Sequence, residues 1–320
     1  MRLREGGPSP RKKRTFRKMK QIRCGDLGED QLLRQLFPLL QTAKGVVSGP
    51  GDDCAVVETR DRGDFLVLKT DCVVAGVHFL QTANAADVGW KAMMRPLSDF
   101  AATSAIPRFA LITLVAPAQT KVDWVKTLYR GLCRAARRFE VSIVGGELSS
   151  TTGPVAISVS VVGFVEKDRW VSRRGGKPGD DLFVTGRLGG AVKQKHLKFI
   201  PRILESRWLT KNFSVHAMMD LSDGLGADLP RLAAASRVGF ALEMDNVPVA
   251  LGSTIDNAIS EGEDYELLFA VSRRDGNRLE PAWRKKFRKL PLTRIGRLNS
   301  QSTIINPKLK GGYVHFQQPG

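Results

Sequence analysis

Acidic residues recur in five separated segments of this chain, each at or beside the predicted end of a strand. The segments are residues 51–55, 70–71, 98–99, 145–147 and 220–223. A single Asp is ordinary at a turn or helix cap, but repeated acidic clusters in a chain of net charge +18 need another reason. Carboxylates brought together repel one another unless they are protonated or bridged by a cation, and hard oxygen ligands suit Mg²⁺. The pattern therefore predicts a magnesium site that holds phosphates.

Helices and strands alternate along the chain, which is typical of an α/β or α+β fold. Helical spacing of apolar residues predicts helices over 26–40, 85–104, 122–139, 201–209 and 224–235. Apolar runs predict strands over 55–57, 65–70, 109–115, 141–144, 155–165, 181–185, 215–219, 240–244, 265–271 and 292–297. Pro96 is expected to bend its helix or start a new one, because it cannot donate a backbone hydrogen bond.

Length and turn signals predict two domains. The 320 residues suit two domains of about 150 residues each, with a boundary near 167–170. The predicted ranges are 1–23 for a basic, disordered arm, 24–166 for an N-terminal α/β domain and 167–320 for a C-terminal α/β domain. The two glycines at 145–146 are expected to end a strand and let the backbone approach a ligand closely, although taken alone they are better explained by a plain turn. Asp220 and Asp223 are expected at a strand-to-helix junction, where free N–H groups favour a phosphate.

Composition narrows the class of protein. Hydrophobic residues make up 42% of the chain, enough for packed cores. The longest apolar run, 155–165, is shorter than the roughly 20 residues that cross a bilayer, and no apolar stretch follows the basic N-terminus as in a secretory signal. The four cysteines form no CxxC pair and no zinc spacing. We therefore expect a cytoplasmic protein with no membrane partner.

The N-terminal arm is strongly basic. Residues 1–23 hold ten Lys or Arg and one Glu, which is half of the net charge. One interpretation is a contact with nucleic acid or another anionic surface. The favoured alternative is a solvated tail, or translation assigned too far upstream of Met19. A nucleic-acid partner is accordingly not expected, although the basic arm leaves that alternative open.

Six motifs, in order, resemble the thiamine-monophosphate kinase family, in the superfamily that includes aminoimidazole ribonucleotide synthetase and selenophosphate synthetase. The motifs are GDDCA at 51–55, TDCVVAGVHF at 70–79, LSD at 97–99, SRRGGKPGD at 172–180, DLSDGL at 220–225 and EGEDYEL at 261–267. The similarity spans about residues 25–316. It implies a two-domain fold of the aminoimidazole ribonucleotide synthetase type and a homodimer that pairs through the N-terminal sheets.

The resemblance also implies an activity, which is the ATP-dependent phosphorylation of thiamine monophosphate to thiamine diphosphate. The site residues that it implies fall into three groups. Mg²⁺ is expected at Asp53, Thr70, Asp71, Asp99, Glu147, Asp220 and Asp223. ATP is expected at Gly145, Gly146, Arg173 and Ser222. Thiamine monophosphate is expected at His78, Glu263 and Tyr313.

The residues support phosphoryl transfer independently of the resemblance. No GxxxxGK[ST] motif and no lysine cradle are evident, so magnesium is expected to screen the two repelling phosphates. A phosphate monoester with a second pKa of about 6 is already ionised at neutral pH, so no general base is needed. Arg173 and Asp223 are the predicted catalytic residues, with Arg173 stabilising the transferred charge.

Several alternatives stay open on the sequence. On its own, His78 is more simply explained as a structural histidine, and only the surrounding motif favours a ligand role. Tyr313 is equally explained as a packed tail residue, and Arg173 as half of a solvated pair with Arg174. Asp52 is explained as a residue that orients Asp53 or caps the turn. Three features depart from the family: Glu147 replaces Asp, the 190–196 segment is short, and the proline-rich element is reduced to residues 196–202. These features leave room for a related ATP-dependent enzyme with another acceptor, or for a degenerate nucleotide-binding protein.

Overall fold

The computed structural model describes residues 22–60, 63–191, 196–300, 309 and 311–313. The basic arm predicted over 1–23 lies almost entirely outside the described residues, as does most of the short 190–196 segment. Residues 22–40 belong to a unit of their own, with α1 (Cys24–Leu27), α2 (Glu29–Leu36) and a 3-10 turn (Phe37–Leu39). The sequence predicted one helix over 26–40. That prediction is wrong, because Gly28 has a φ of 72° between α1 and α2.

The first sheet has six strands in the order β1-β2-β3-β6-β4-β5. Their bounds are β1 (Val46–Ser48), β2 (Ala55–Glu58), β3 (Asp64–Val74), β4 (Ile106–Ala116), β5 (Ser142–Ser150) and β6 (Ala156–Glu166). Neighbouring strands are antiparallel except for β4 and β5, which are parallel. The chain order therefore differs from the spatial order, and β5 lies at the edge, three strands from β3.

Two long helices, α3 (Ala85–Ala102) and α4 (Val122–Arg138), pack against this sheet and each other. Two glycines let their backbones cross closely. A Cβ on Gly89 would lie 2.1 Å from the carbonyl oxygen of Leu128, and one on Gly131 would lie 2.0 Å from that of Ala86. Fifteen of the eighteen α3 residues are buried, including Pro96. The expectation that Pro96 would begin a new helix is wrong, since α3 runs through it.

The second sheet has five antiparallel strands in the order β8-β10-β7-β11-β9. Its strands are β7 (Asp181–Thr185), β8 (Val215–Asp220), β9 (Gly239–Leu242), β10 (Leu267–Val271) and β11 (Leu292–Asn299). The helices of this part are α5 (Ile203–Asn212), α6 (Leu225–Ser236), α7 (Ile255–Ser260) and α8 (Arg273–Lys286). The α/β class is as predicted; the predicted domain boundaries stay a prediction.

Two hydrophobic clusters hold these layers. The larger cluster joins the inner face of the first sheet to α3, α4 and one face of the second sheet, where Phe183 and Phe269 stack 5.7 Å apart. The smaller cluster packs the opposite face of the second sheet against α6 and α7. Helix α3 contacts both β3 and β8, so residues near its C-terminus face the ends of strands from both sheets. Burial of α3 thus fixes side chains of the two sheets against one another.

Two predicted strand ends differ from the structure. Asp71 lies inside β3, which continues to Val74, and the strand predicted to stop before Gly145 continues through it to Ser150. Pairing explains both differences, because β6 extends alongside β3 and β4 extends alongside β5 over these residues. Within the described part of the chain, no helix combines the length and apolar character that a membrane span requires.

Candidate active site

Three buried carboxylates meet where the two sheets and α3 come together. Asp53 precedes β2, Asp99 lies in the last turn of α3, and Asp220 ends β8. One oxygen from each lies within 4.8 Å of the others, and their exposed fractions are 2%, 7% and 2%. We call Asp53, Asp99 and Asp220 the carboxylate triad. Like charges this close, removed from water, require a cation or protons.

Only some of the carboxylate oxygens of the triad have a hydrogen-bond partner. Ser98 Oγ donates to Asp220 Oδ2 at 2.6 Å, and Arg173 Nη2 donates to Asp53 Oδ1 at 2.6 Å. Asp53 Oδ2 and Asp220 Oδ1 are buried without a hydrogen-bond partner among the described residues. Burial first, and then the charge of Asp53, raise the pKa of Asp220 to about 7. Burial likewise raises the pKa of Asp99. The site thus presents unpaired oxygens with unfavourable negative charge.

These oxygens fit a magnesium ion. Mg²⁺ takes oxygen ligands at about 2.0–2.1 Å, so two ligands on opposite sides of the ion are about 4.2 Å apart. A triad within 4.8 Å needs only a small contraction to reach that geometry. Buried polar atoms normally find a partner, so two carboxylate oxygens buried without one among the described residues are suited to a cation.

Strand β3 adds a lysine and a fourth aspartate. Side chains alternate along a strand, so Lys69 and Asp71 point to the face that packs on α3. Lys69 Nζ lies 3.0 Å from Asp99 Oδ2 and 4.0 Å from Asp71 Oδ2, and Arg95 Nη2 lies 3.7 Å from Asp71 Oδ1. Burial would lower the pKa of Lys69, but the charges of Asp71 and Asp99 outweigh it and hold that pKa above its ordinary value.

The same alternation places the side chain of Thr70 on the other face of the sheet. Its hydroxyl accepts a hydrogen bond from Ser160 Oγ at 3.0 Å and lies 3.3 Å from Ser158 Oγ. Thr70 is exposed, and the sheet separates its hydroxyl from the triad. The structure therefore does not bring the Thr70 hydroxyl together with the triad.

The backbone of Arg173 is held in place by Asp52, in the turn before β2, and by Ser236. The Asp52 carboxylate accepts from Ser48 Oγ at 2.8 Å, from the Asp53 backbone N–H at 3.0 Å and from the Arg173 backbone N–H at 3.1 Å. Ser236 Oγ donates to the Arg173 carbonyl at 3.0 Å. Asp52 therefore orients its neighbours, which is the role that the sequence left open for it. Arg174, by contrast, is exposed.

Asp223 belongs to a neighbouring ion-pair cluster. Its carboxylate pairs with Arg231, and its backbone N–H donates to Asp228 Oδ2 at 3.0 Å. Asp228 is fully buried and lies 3.0 Å from Arg231 Nη1. Burial, followed by the charge of Asp223, raises the pKa of Asp228 to about 8. Asp223 thus lies three residues beyond Asp220, at the predicted junction of β8 with α6, but outside the triad.

Glu147 lies far from the triad within one chain. It pairs with Thr113, which pairs with Ser158, which pairs with Cys72 beside Asp71. Three strand spacings of 4.7–4.9 Å place Glu147 about 14 Å from Cys72. Glu147 is exposed on the edge strand β5.

The glycines before Glu147 have a structural reason. A Cβ on Gly146 would lie 1.8 Å from the carbonyl oxygen of Ile112 on β4, and one on Gly145 would lie 3.4 Å from Leu111. Close strand pairing therefore requires glycine at 146. The role of Gly145 and Gly146 in nucleotide binding stays a prediction.

A second polar cluster joins two of the residues predicted for the acceptor. Lys91 has no exposed side-chain surface; its Nζ donates to the His78 carbonyl at 2.7 Å and lies 2.5 Å from Glu263 Oε1. His196 Nδ1 lies 3.0 Å from Glu263 Oε2. Burial would raise the pKa of Glu263, but the hydrogen bond from His196 and the charge of Lys91 lower it to about 2. Lys91, His78, Glu263 and His196 form the acceptor cluster.

The remaining predicted residues lie around the carboxylate triad and the acceptor cluster. The Ser222 carbonyl accepts from the Glu263 N–H at 2.8 Å, so Ser222 links the β8–α6 junction to the acceptor cluster. Tyr313 is 43% exposed, and its N–H donates to the Asp223 carbonyl at 2.9 Å. His78 Nδ1 accepts from the Val74 N–H at 3.1 Å, which gives this histidine a structural role in its own turn.

Helix α3 connects the acceptor cluster to the carboxylate triad. Lys91, Arg95 and Asp99 follow one another at four-residue spacing, so they lie along one side of the helix. The rise of 1.5 Å per residue separates the first from the last by about 12 Å. The sequence alone assigned no role to Lys91 or Arg95. Their spacing from Asp99 was the available signal; nothing comparable pointed to Lys69.

Known proteins resemble this chain over most of its length. Residues 51–165 match the family model "AIR synthase related protein, N-terminal domain", and residues 190–303 match "AIR synthase related protein, C-terminal domain". A thiamine-monophosphate kinase of Rhodopirellula baltica is 37% identical over 79% of this chain and 84% of its own. One from Salmonella typhimurium is 30% identical over 91% and 99%. The structure described as AaThiL complexed with AMPPCP and TMP superposes with a TM-score of 0.79 at 31% identity, covering 92% of this chain and 99% of that one.

Proposed function

Since this chain belongs to the thiamine-monophosphate kinase family, we propose that it transfers the γ-phosphoryl group of ATP to thiamine monophosphate, giving thiamine diphosphate. The observation on which the proposal depends is the carboxylate triad, with two buried oxygens that lack a partner among the described residues. A relative bound to an ATP analogue and TMP supports the choice of both substrates.

The triad and the residues around it would bind the phosphates of ATP. Asp53, Asp99 and Asp220 would hold Mg²⁺, which supplies charge neutralisation for the phosphates when it is bound. Arg173 would face the transferred phosphoryl group, because its guanidinium is fixed beside Asp53 and its Nε is buried without a partner among the described residues. A planar guanidinium with an uncommitted donor is suited to the charge that spreads over phosphoryl oxygens.

The acceptor would bind along α3, at the cluster of Lys91, His78, Glu263 and His196. Glu263 stays ionised at physiological pH, since its pKa is lowered to about 2. An anionic carboxylate such as that of Glu263 suits the cationic thiazolium of a thiamine phosphate. Arg95 lies between Glu263 and Asp71, where its guanidinium would bind the phosphate of the acceptor. The transfer would then consist of alignment and charge neutralisation without a general base.

The predicted homodimer would complete the nucleotide site. The outer face of the first sheet exposes apolar side chains, with Phe109 at 46% and Leu111 at 47%. An apolar face of this kind typically marks an interface. Pairing of two such sheets would cover it and bring Glu147, which lies about 14 Å from Cys72 within one chain, toward the site of the other subunit. We propose a homodimer on this basis; the proposed cytoplasmic location and lack of a nucleic-acid partner rest on the sequence alone.

A direct assay tests the proposed activity. Purified protein is incubated with ATP, Mg²⁺ and thiamine monophosphate, and thiamine diphosphate is quantified after separation and oxidation to a fluorescent product. We expect one thiamine diphosphate per ADP formed. Asp53→Asn should abolish product, whereas Lys126→Met, an exposed change on α4, should not. Binding of ATP without product would reject the activity, and ADP formation with another phosphorylated acceptor would favour a different superfamily reaction.

A further inference from the structure

Lys69 sits where a cation would otherwise be required. Its Nζ lies between Asp99 Oδ2 at 3.0 Å and Asp71 Oδ2 at 4.0 Å. The side chain is 23% exposed, and those of Asp71 and Asp99 are 17% and 10% exposed. The position follows from strand alternation, because Lys69 and Asp71 share the face of β3 that packs on α3. An ammonium held by two carboxylates in this way neutralises charge permanently, without recruiting an ion.

The carboxylates of the acidic site fall into two groups, those with a buried oxygen that lacks a partner in the described part of the chain and those that contact Lys69. On one side, Asp53 Oδ2 and Asp220 Oδ1 are buried and unpartnered among the described residues. On the other side, Asp71 contacts Lys69 and Arg95, and an oxygen of Asp99 contacts Lys69. A divalent ion and an ammonium cannot occupy the same gap between two carboxylates, since like charges at such a distance repel strongly. The cation position between Asp71 and Asp99 is therefore already taken.

We propose that Lys69 is a resident cation that replaces one divalent ion in the active site, so that only the Asp53–Asp99–Asp220 triad recruits metal and Asp71 does not. The inference rests on the proposed magnesium-dependent kinase site and specifies which of its carboxylates bind the ion. It changes the role of Asp71 from a metal ligand to the counter-charge of Lys69 and Arg95. It also assigns to Lys69 a positioning role, since it holds Asp99 toward the triad.

A metal count tests the proposal without measuring catalysis. Mn²⁺ binding is titrated by electron paramagnetic resonance in the presence of AMPPCP, and bound ions per chain are counted for the unmodified protein and three variants. Lys69→Met removes the charge at similar length, Lys69→Arg keeps it, and Lys126→Met removes a charge from an exposed position on α4. We expect one additional Mn²⁺ per chain in Lys69→Met alone. Because AMPPCP contributes its own ion equally in every sample, the difference between variants is the result.

The outcomes separate the inference from the function on which it rests. An equal count in Lys69→Met and the unmodified protein, or an additional ion in Lys69→Arg, overturns the resident cation but leaves the kinase proposal standing. No protein-dependent Mn²⁺ binding in any sample overturns both. If Lys69→Met folds only when Mn²⁺ is present, as followed by its thermal midpoint, the dependence itself supports the replacement of an ammonium by an ion.

A second measurement uses the unmodified side chain. With ¹⁵N-labelled lysine, the Nζ resonance of Lys69 is identified by its absence from Lys69→Arg and followed during titration with Mg²⁺ and AMPPCP. A resident cation keeps a slowly exchanging Nζ signal at saturating Mg²⁺. If the signal is lost to exchange with water, Mg²⁺ or nucleotide has displaced the ammonium from Asp99 and the proposal fails. This test needs no uncharged variant to fold.

Discussion

Replacing Asp220 with Asn should stabilise the free protein while removing its activity. In the free protein, Asp220 Oδ1 is buried without a partner among the described residues, and Oδ2 accepts from Ser98. Burial and the charge of Asp53 raise the pKa of Asp220 from 3.8 to about 7. An asparagine keeps the shape and can still accept from Ser98, but it carries no charge. The mutation therefore relieves repulsion that the wild-type residue maintains for its ligand.

The size of the expected stabilisation follows from the raised pKa of Asp220. Because the folded state holds this proton more tightly than the unfolded state, the stabilising contribution of Asp220 is fully present below pH 3.8 and is lost as the pH rises to about 7. A difference of about three pKa units corresponds to about 4 kcal/mol. With about 2.1 cal/mol/K of unfolding entropy per residue over about 300 folded residues, this is a shift of the thermal midpoint by about 6 °C.

The assay compares two pH values and two ionic conditions. Thermal midpoints of the unmodified protein and Asp220→Asn are measured at pH 4.5 and pH 8, in EDTA and in Mg²⁺. In EDTA we expect the variant's advantage to be small at pH 4.5 and to approach 6 °C at pH 8. Magnesium should raise the midpoint of the unmodified protein and leave the variant unchanged, and product formation by the variant should fall at least about 100-fold.

Two results would refute this reasoning. If Asp220→Asn is no more stable than the unmodified protein at pH 8 in EDTA, the carboxylate is not under charge repulsion and the triad is not built for a cation. If the advantage is the same at pH 4.5 and pH 8, it does not come from the ionisation of Asp220. Ser98→Ala is a matched control, since it removes the neutral hydrogen bond to the same carboxylate and should lower the midpoint rather than raise it.

Three further variants test separate parts of the site. Arg173→Ala should lower kcat/KM for ATP about 100-fold, whereas the exposed neighbouring change Arg174→Ala should stay within about twofold; equal losses would contradict the assignment. Lys91→Met should raise KM for thiamine monophosphate about tenfold with a smaller change in kcat, measured by steady-state kinetics, because the carboxylate it contacts loses its fixed position; an unchanged KM would exclude this role. Gly146→Ala should lower the thermal midpoint by about 2–5 °C, since its Cβ would overlap the carbonyl of Ile112; no shift would mean that β4 and β5 are not paired so closely.

The sequence indicated the triad because its members lie at element ends that local patterns identify. Asp53 precedes a short strand, Asp99 lies near the end of an apolar helical pattern, and Asp220 ends a buried strand. Ends of strands and helices that belong to one two-layer core tend to meet at its edges, so their convergence was predictable. The sequence did not show which of Thr70 and Asp71 faces the triad. Strand β3 continues past both residues, and alternation along it sends their side chains to opposite faces of the sheet.

Glu147 illustrates what local patterns leave out. Its distance from the triad depends on the strand order, which inserts β6 and β4 between β3 and β5 although β6 follows β5 in the chain. A non-consecutive order is set by packing of the whole sheet and leaves no trace in any short window of sequence. The same limit applies to Lys69, whose partners Asp71 and Asp99 are known only once β3 is placed against α3.

In the proposed function, helix α3 separates two anionic substrates and still aligns them. It carries Lys91 in the acceptor cluster, Arg95 between the clusters and Asp99 in the triad, over a rise of about 12 Å. Fifteen of its eighteen residues are buried, so the helix cannot shift one of these groups without shifting the others. The buried charges are therefore tolerable because each has a partner from a different element, and the helix that imposes the pairing also sets the distance between the substrates.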